Sequence, residues 1–257
     1  MKSNIKFPEN ELNQYKENQK LLDEWVKHLK NNTTYQKYST DYFVRDGFFP
    51  NYYNQKLKIL YIGIEPRDLS GCDYIDFVYH GYKNNGIGRK PLNNSKFHRL
   101  MLKIAYGLIN DFLEWEKIPN PYPDISNNFG SKNGISFAIM ELSKYSNDTG
   151  KRDKVIHQIQ NFIRISKNAK KNYWNEQIRI FNPDLIISMQ LAGHLHELGK
   201  LDRIKKAKLP KPSVYELNVE HKKIKIIDTY HFSNNWKIRN EKAFYNSIMN
   251  TVKSLFL

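Results

Sequence analysis

Ile59-Leu60-Tyr61-Ile62-Gly63 and Leu185-Ile186-Ile187-Ser188-Met189 are the two stretches that decide the fold class. Each is a compact, almost wholly apolar run of about five residues with no polar alternation. A strand covered on one face alternates apolar and polar side chains, whereas a strand covered on both faces reads apolar throughout. Both stretches are therefore predicted to be buried strands. The first ends at Gly63, and the second is opened by the turn sequence Asn182-Pro183-Asp184.

Outward from these strands, Leu12, Tyr15, Leu21, Leu22, Trp25, Val26 and Leu29 recur at helical spacing, predicting an amphipathic helix over residues 9–30. Residues 35–54 are aromatic and irregular, with Asp46-Gly47 and Pro50 as turn signals. A helical pattern covers 96–115, a further apolar run lies between Gly134 and Leu142, and 151–181 reads as one long basic helix. After Met189 a helical pattern runs to Gly199. Residues 213–219 and 224–229 read as paired strands, and 239–256 as a closing helix. Strands alternating with helices in this way predict a three-layer α/β/α fold with a central, mainly parallel sheet of about four or five strands. No repeat, low-complexity tract or linker interrupts the chain, so residues 1–257 are expected to form one α/β domain with a helical N-terminal extension over 1–45.

The 257 residues carry 41 Lys+Arg against 26 Asp+Glu, a formal net charge of +15. Aromatic residues make up 14% and hydrophobic residues 40%, so the charge sits on a folded body and not on a disordered tail. A phosphate backbone is the common partner of such a surface; the alternative is that the lysines only solvate it. Residues 151–180 hold eight Lys/Arg against two Asp/Glu, and residues 200–225 hold nine against three. A single cysteine excludes an intramolecular disulfide, a Cys-only zinc site and a four-thiolate iron–sulfur cluster. With no apolar run of eighteen residues and no signal-like segment after Met1, the chain is expected to be cytoplasmic and to make no membrane contact.

Open α/β sheets collect ligands at the carboxyl ends of their strands. Gly63-Ile64-Glu65-Pro66-Arg67-Asp68 follows the first buried strand, and Asp228-Thr229-Tyr230-His231-Phe232-Ser233 follows the last. There a carboxylate can act as a base or charge stabiliser, and an imidazole as a hydrogen-bond donor or acid. The plainer readings are a solvated Glu65 paired with Arg67, and a turn histidine bonded near Ser233.

In order and spacing these segments resemble the uracil-DNA glycosylase superfamily, which carries a Gly-X-Asp/Asn-Pro motif after its first sheet strand and His-Pro-Ser after its last. Gly63-Ile64-Glu65-Pro66 matches the first with Glu for Asp or Asn, and His231-Phe232-Ser233 the second with Phe for Pro. Trp174-Asn175-Glu176-Gln177 through Pro183-Asp184-Leu185-Ile186-Ile187 looks like the family's helix and proline-led strand, so the likeness spans residues 55 to 240. The resemblance implies hydrolysis of the N-glycosidic bond of a flipped-out, damaged or deaminated base. Glu65 would hold or deprotonate water beside C1′, and His231 would donate to the base oxygen. Where many members have a strand-end Asn that reads the pyrimidine edge, Ala138-Ile139-Met140-Glu141-Leu142 offers Met140 or Glu141. Tyr74, Phe77 and Tyr79 follow the first motif closely enough to stack on a base, although ordinary core packing explains each as well.

Arg67 stands after the proline where the family has a small or aromatic residue. Ser233, Asn234, Trp236, Lys237 and Arg239 lie where family members press a loop into the duplex, and with Arg67 they make up the expected DNA contacts. DNA, single- or double-stranded, is the implied partner of a monomer, with no cofactor and no metal. Two further classes stay open: a nucleic-acid-binding protein of this fold without catalysis, and an α/β enzyme acting on nucleosides or nucleotides. Elsewhere, His194 and His196 lie on different faces of their predicted helix, Cys72 and His80 have nothing to orient them as a nucleophile and base, and Gly86-Ile87-Gly88-Arg89 reads as a turn.

Overall fold

The computed structural model describes residues 5–31, 40–88, 90–147, 152–191, 193–205 and 211–256. Its strands are β1 (Gly47–Phe48), β2 (Ile59–Gly63), β3 (Ala138–Glu141), β4 (Leu185–Met189), β5 (Lys200–Lys205), β6 (Ser213–Val219) and β7 (Lys222–Thr229). They form one sheet in the order β1-β3-β2-β4-β7-β6-β5. The four central strands, β3, β2, β4 and β7, are mutually parallel. Antiparallel β1 closes one edge, and β6 and β5 continue antiparallel beyond β7. The sheet is mainly parallel at its centre as expected, but it has seven strands where four or five were expected, because antiparallel β1, β6 and β5 extend both margins.

The helices are α1 (Leu12–Lys30), α2 (Tyr74–Lys83), α3 (Lys96–Ile109), the single turn α4 (Ser126–Asn128), α5 (Arg152–Asn168), α6 (Tyr173–Phe181) and α7 (Glu241–Phe256). One core lies between the sheet and α2, α3 and α7, the other between the sheet and α1, α5 and α6. Alternate residues of β2 feed the two cores: Ile59 and Tyr61 face the first, Leu60 and Ile62 the second. That double burial is the reason for the unbroken apolar runs. The N-terminal helix is a wall of the second core. Leu21, Leu22, Trp25 and Leu29 are buried there, and the Trp25 ring stacks on Tyr173 of α6 at 4.9 Å.

Three helical expectations differ from the structure. The basic stretch 151–181 is two helices: Lys170 adopts a left-handed φ of 51°, and the Asn172 side chain caps α6 by accepting from the Asn175 N–H. A side chain that bonds nearby backbone competes with helix continuation. The pattern after β4 yields only a 3₁₀ turn over Leu195–Leu198, and Gly199, at φ 146°, then leads into β5. Finally, α3 stops at Ile109, where Asp111 and Phe112 both take left-handed φ values. No helix among the described residues is long and apolar enough to cross a membrane.

Candidate active site at the carboxyl ends of the parallel strands

In the parallel ladder Ile62 pairs with Ser188, and Ser188 with Asp228. Glu65 lies three residues beyond Ile62 and His231 three beyond Asp228, so both leave the same edge of the sheet at the same level. Only β4 separates their strands, which puts the strand ends about 10 Å apart. The Asp228 carboxylate locks this edge by accepting from the Ser188 hydroxyl at 2.7 Å and from the Leu191 N–H at 2.9 Å.

Pro66 biases Glu65 to extended backbone, carrying the chain straight off β2. The Glu65 side chain is 8% exposed and lies 3.8 Å from the Arg67 guanidinium, whose own side chain is mostly in solvent. Glu141, the last residue of β3, is paired in register with Gly63. A Cβ at position 63 would lie 2.2 Å from the Glu141 carboxyl, so the motif glycine is what admits this side chain. Burial raises the Glu141 carboxyl well above the usual carboxylate range, and the charges of Asp46 and Glu65 push the same way against the opposing pull of Lys144.

Behind Glu141 lies a network of buried polar groups. Asp46 accepts from the Glu141 N–H at 2.7 Å, the Lys144 ammonium at 2.5 Å and the Gln177 amide at 2.7 Å. Lys144 also donates to Gln177, and Gln177 to Asn18 of α1. Burial pulls the Lys144 ammonium below its ordinary range, while the Asp46 charge holds it up. The network joins α1, β1, β3 and α6 beneath the candidate site.

On the other side, the His231 ring stacks on Phe97 of α3, with centroids 5.3 Å apart. The Ser233 N–H donates to His231 Nδ1 at 3.3 Å, and the Ser233 hydroxyl lies 2.7 Å from the same nitrogen. A neutral ring bonded in this way keeps its hydrogen on Nε2. Burial lowers the imidazole to about 4, and the positive charge of Arg67 adds to the effect. At neutral pH His231 is therefore a neutral donor.

The loop beyond His231 is anchored by buried Phe232 and Ile238, and Lys96 of α3 donates to the Ile238 carbonyl. Between these anchors Trp236 is 81% exposed, and Ser233, Lys237 and Arg239 are exposed as well. The Asn234 side chain caps the loop's own turn by accepting from the Lys237 N–H.

Among the expected base contacts, Met140 does not belong to this side. It points to the opposite face of β3 from Glu141 and is buried in the second core, because strand residues alternate faces. Tyr74 is a buried core residue whose phenol burial raises well above its ordinary range, with the charge of Glu141 adding to the effect, and Phe77 is exposed on α2. Phe97, Lys144 and Gln190 carry no signal in the sequence reading, and Asp46 enters it only as part of a turn. Gln190 follows β4, between the two motif loops, with a left-handed φ of 64° and an exposed side chain. Only its departure from extended backbone marks it, and no sequence pattern shows that.

No protein-family model matches the chain, and no curated protein is significantly similar to it.

Proposed function

We propose that this protein is a hydrolase of the uracil-DNA glycosylase type, releasing a damaged or deaminated base from a nucleotide flipped out of DNA. The observation that carries this reading is the level placement of Glu65 and His231 on either side of β4, with Arg67 beside Glu65 and electrostatically coupled to His231. Cleavage of the C1′–N bond sends its electron pair to the base and leaves positive charge on the sugar. The Glu65 carboxylate offsets that charge and accepts the proton of the water that adds to C1′. The His231 Nε2–H donates to the base oxygen that gathers negative charge, and it stays neutral throughout. Neutral, partly buried His231 suits that task better than an exchangeable imidazolium does.

A base inside a duplex is out of reach, so flipping is required, and an exposed aromatic at a loop tip beside the site suits the vacated stack. Trp236 has that position, and Arg67, Lys237 and Arg239 suit phosphate contacts. The reading carries with it DNA as partner, a monomer and a cytoplasmic location. Its test is a panel of single-stranded and duplex oligonucleotides containing uracil, hypoxanthine, xanthine or a mismatch, assayed for abasic sites. Release of at least one base, with DNA affinity that falls steeply as salt rises, is the expected result. Salt-sensitive binding without release of any base would replace the hydrolase by a binding protein of the same fold, and absence of DNA affinity would favour a small nucleoside or nucleotide as substrate.

A further inference from the structure

Arg67 and Glu65 form an unequal pair. The Glu65 side chain is 8% exposed and that of Arg67 69%, and Arg67 Nε lies 3.8 Å from Glu65 Oε1, beyond hydrogen-bond reach. Two backbone bonds hold the carboxyl's own chain, one on each side of Glu65: the Ser143 N–H donates to the Ile64 carbonyl at 2.9 Å, and the Asn147 N–H to the Pro66 carbonyl at 3.3 Å. Pro66 and Leu69 are buried, and the Leu69 N–H donates to the Ser146 hydroxyl, so Arg67 and Asp68 are an exposed tip between two anchors. The carboxyl is the fixed partner, and the guanidinium is the one that can leave.

The charge of Arg67 also acts on the His231 ring, which packs against uncharged Phe97 of α3 and Ser233 of its own loop. Lys96, beside Phe97 on α3, is committed to the Ile238 carbonyl. Lys237 and Arg239 stand exposed on the loop beyond His231. A phosphate entering between the two motif loops therefore meets a cation that already rests against a carboxylate. An ion pair this exposed and this long is weak and screened by salt. A phosphate offers the guanidinium two parallel hydrogen bonds, which a carboxylate at 3.8 Å does not receive. The exchange favours the phosphate.

We propose that Arg67 is a hand-over residue: in the free protein its guanidinium lies against Glu65, and a bound phosphate draws it off that carboxylate. The exchange stands on the geometry of the pair; its use in base release rests on the hydrolase reading. With Arg67 beside it, the Glu65 carboxylate is a poor proton acceptor, and once Arg67 turns to a phosphate its affinity for a proton rises. The base is thus made ready by the substrate that needs it. Arg67 is a positioning residue, acting through Glu65, and its ligand is a phosphate group, carried by a nucleic-acid strand or by a free nucleotide.

The test is a binding cycle on the full chain at neutral pH, with an unmodified single-stranded oligonucleotide, a mononucleotide and inorganic phosphate as probes. Each is titrated against the parent, Glu65→Gln, Arg67→Met and the double variant. Glu65→Gln is expected to tighten binding about threefold when Arg67 is present and to leave it unchanged in the Arg67→Met background, because the carboxylate competes with phosphate through Arg67. Coupling with the oligonucleotide alone supports a strand as the source of the phosphate, and equal coupling with the smaller probes supports a free one. Equal tightening in both backgrounds is plain repulsion between like charges and overturns the hand-over. A parent that binds none of the probes, or an Arg67→Met variant that binds them all as tightly as the parent, overturns it too.

A second arm reads turnover, in which the pH profile of kcat/KM reports the free enzyme and that of kcat the bound one. In Arg67→Met the acid limb of kcat/KM should move to higher pH, since free Glu65 has lost its cation. The limb of kcat should stay in place, since the bound parent has already given that cation up. Two limbs that move together mark a static pair and overturn the hand-over. If the binding cycle shows the coupling but no oligonucleotide loses a base, the hand-over stands and the hydrolase reading fails. If base is released and the coupling is absent, the hydrolase stands and the hand-over fails.

Discussion

At the β2–β3 end of the site, Glu65 and Glu141 adjoin a network of buried charge and amides, whereas at the β7 end the chain beyond His231 reaches out to an 81% exposed Trp236. The bonds of the first region join residues far apart in sequence, Lys144 to Asp46 and Gln177 to Asp46. Those of the second are mostly local, Ser233 to His231 and Lys237 to Asn234. A shared sheet edge therefore carries two kinds of construction. The buried side sets protonation by excluding water. The exposed side leaves charge and an aromatic ring free to meet a partner.

The contrast predicts a hierarchy of effects. The largest belongs to the buried network. Lys144→Met leaves the Asp46 carboxylate without its cation and is expected to cost about 3–5 kcal/mol of folding stability in urea denaturation. Lys237→Met, on the exposed loop, is expected to stay within about 0.5 kcal/mol. Similar values for the two would erase the distinction between the regions.

Next come the reacting groups. If the proposed hydrolase reading holds, Glu65→Gln and His231→Ala should each lower base release by ~10²-fold or more, with DNA affinity within a few-fold of the parent, because both groups would then act mainly in the transition state. Single-turnover assays and binding titrations separate the two quantities. Loss of affinity without loss of turnover would assign these residues to DNA holding instead.

Smaller still is the dependence of stability on pH. Burial lowers His98 to about 3 and His231 to about 4, both below the unfolded value of 6.5. Between these values the unfolded chain binds protons that the native state does not, so stability rises with pH, by about 1.4 kcal/mol per pH unit for each fully unmatched proton. Partial exposure of His231 reduces its share. Glu141 works in the opposite sense: its raised carboxyl keeps a proton in the native state that the unfolded chain has lost above 4.5, so its contribution falls as pH rises. Denaturation at a series of pH values from 4.5 to 6.5 should show stability increasing. His98→Gln should flatten that slope, and Glu141→Gln should steepen it; an unchanged slope in both would refute the assignments.

The smallest effect on folding is expected at Trp236. Trp236→Ala should leave stability within about 0.5 kcal/mol while weakening DNA binding by about 1 kcal/mol, measured by fluorescence anisotropy. A stability loss of several kcal/mol would mean that the loop is part of the core after all.

Much of the fold was legible because its signals are local. The apolar runs at 59–63 and 185–189, the helical spacing from Leu12 to Leu29 and the paired strands near the C-terminus all appear as elements. The boundaries inside 151–181 and after Met189 were not, because a cap at Asn172 and the short connection to β5 override helical spacing. Of the candidate site, Glu65, His231 and Glu141 were visible as polar residues at the ends of apolar runs. The side of the sheet on which Met140 falls was not, since a strand residue's face depends on register.

By itself, then, the sequence determined the layer order, the parallel centre and the two polar strand ends, because each follows from the spacing of apolar residues along a few consecutive positions. Only the tertiary structure decided that Gly63 makes room for Glu141, that Lys144 is spent on Asp46, and that Phe97 lies against His231. Each of these depends on segments tens of residues apart meeting in a place that excludes water, and a buried charge takes its protonation state from those neighbours and not from its own stretch of chain.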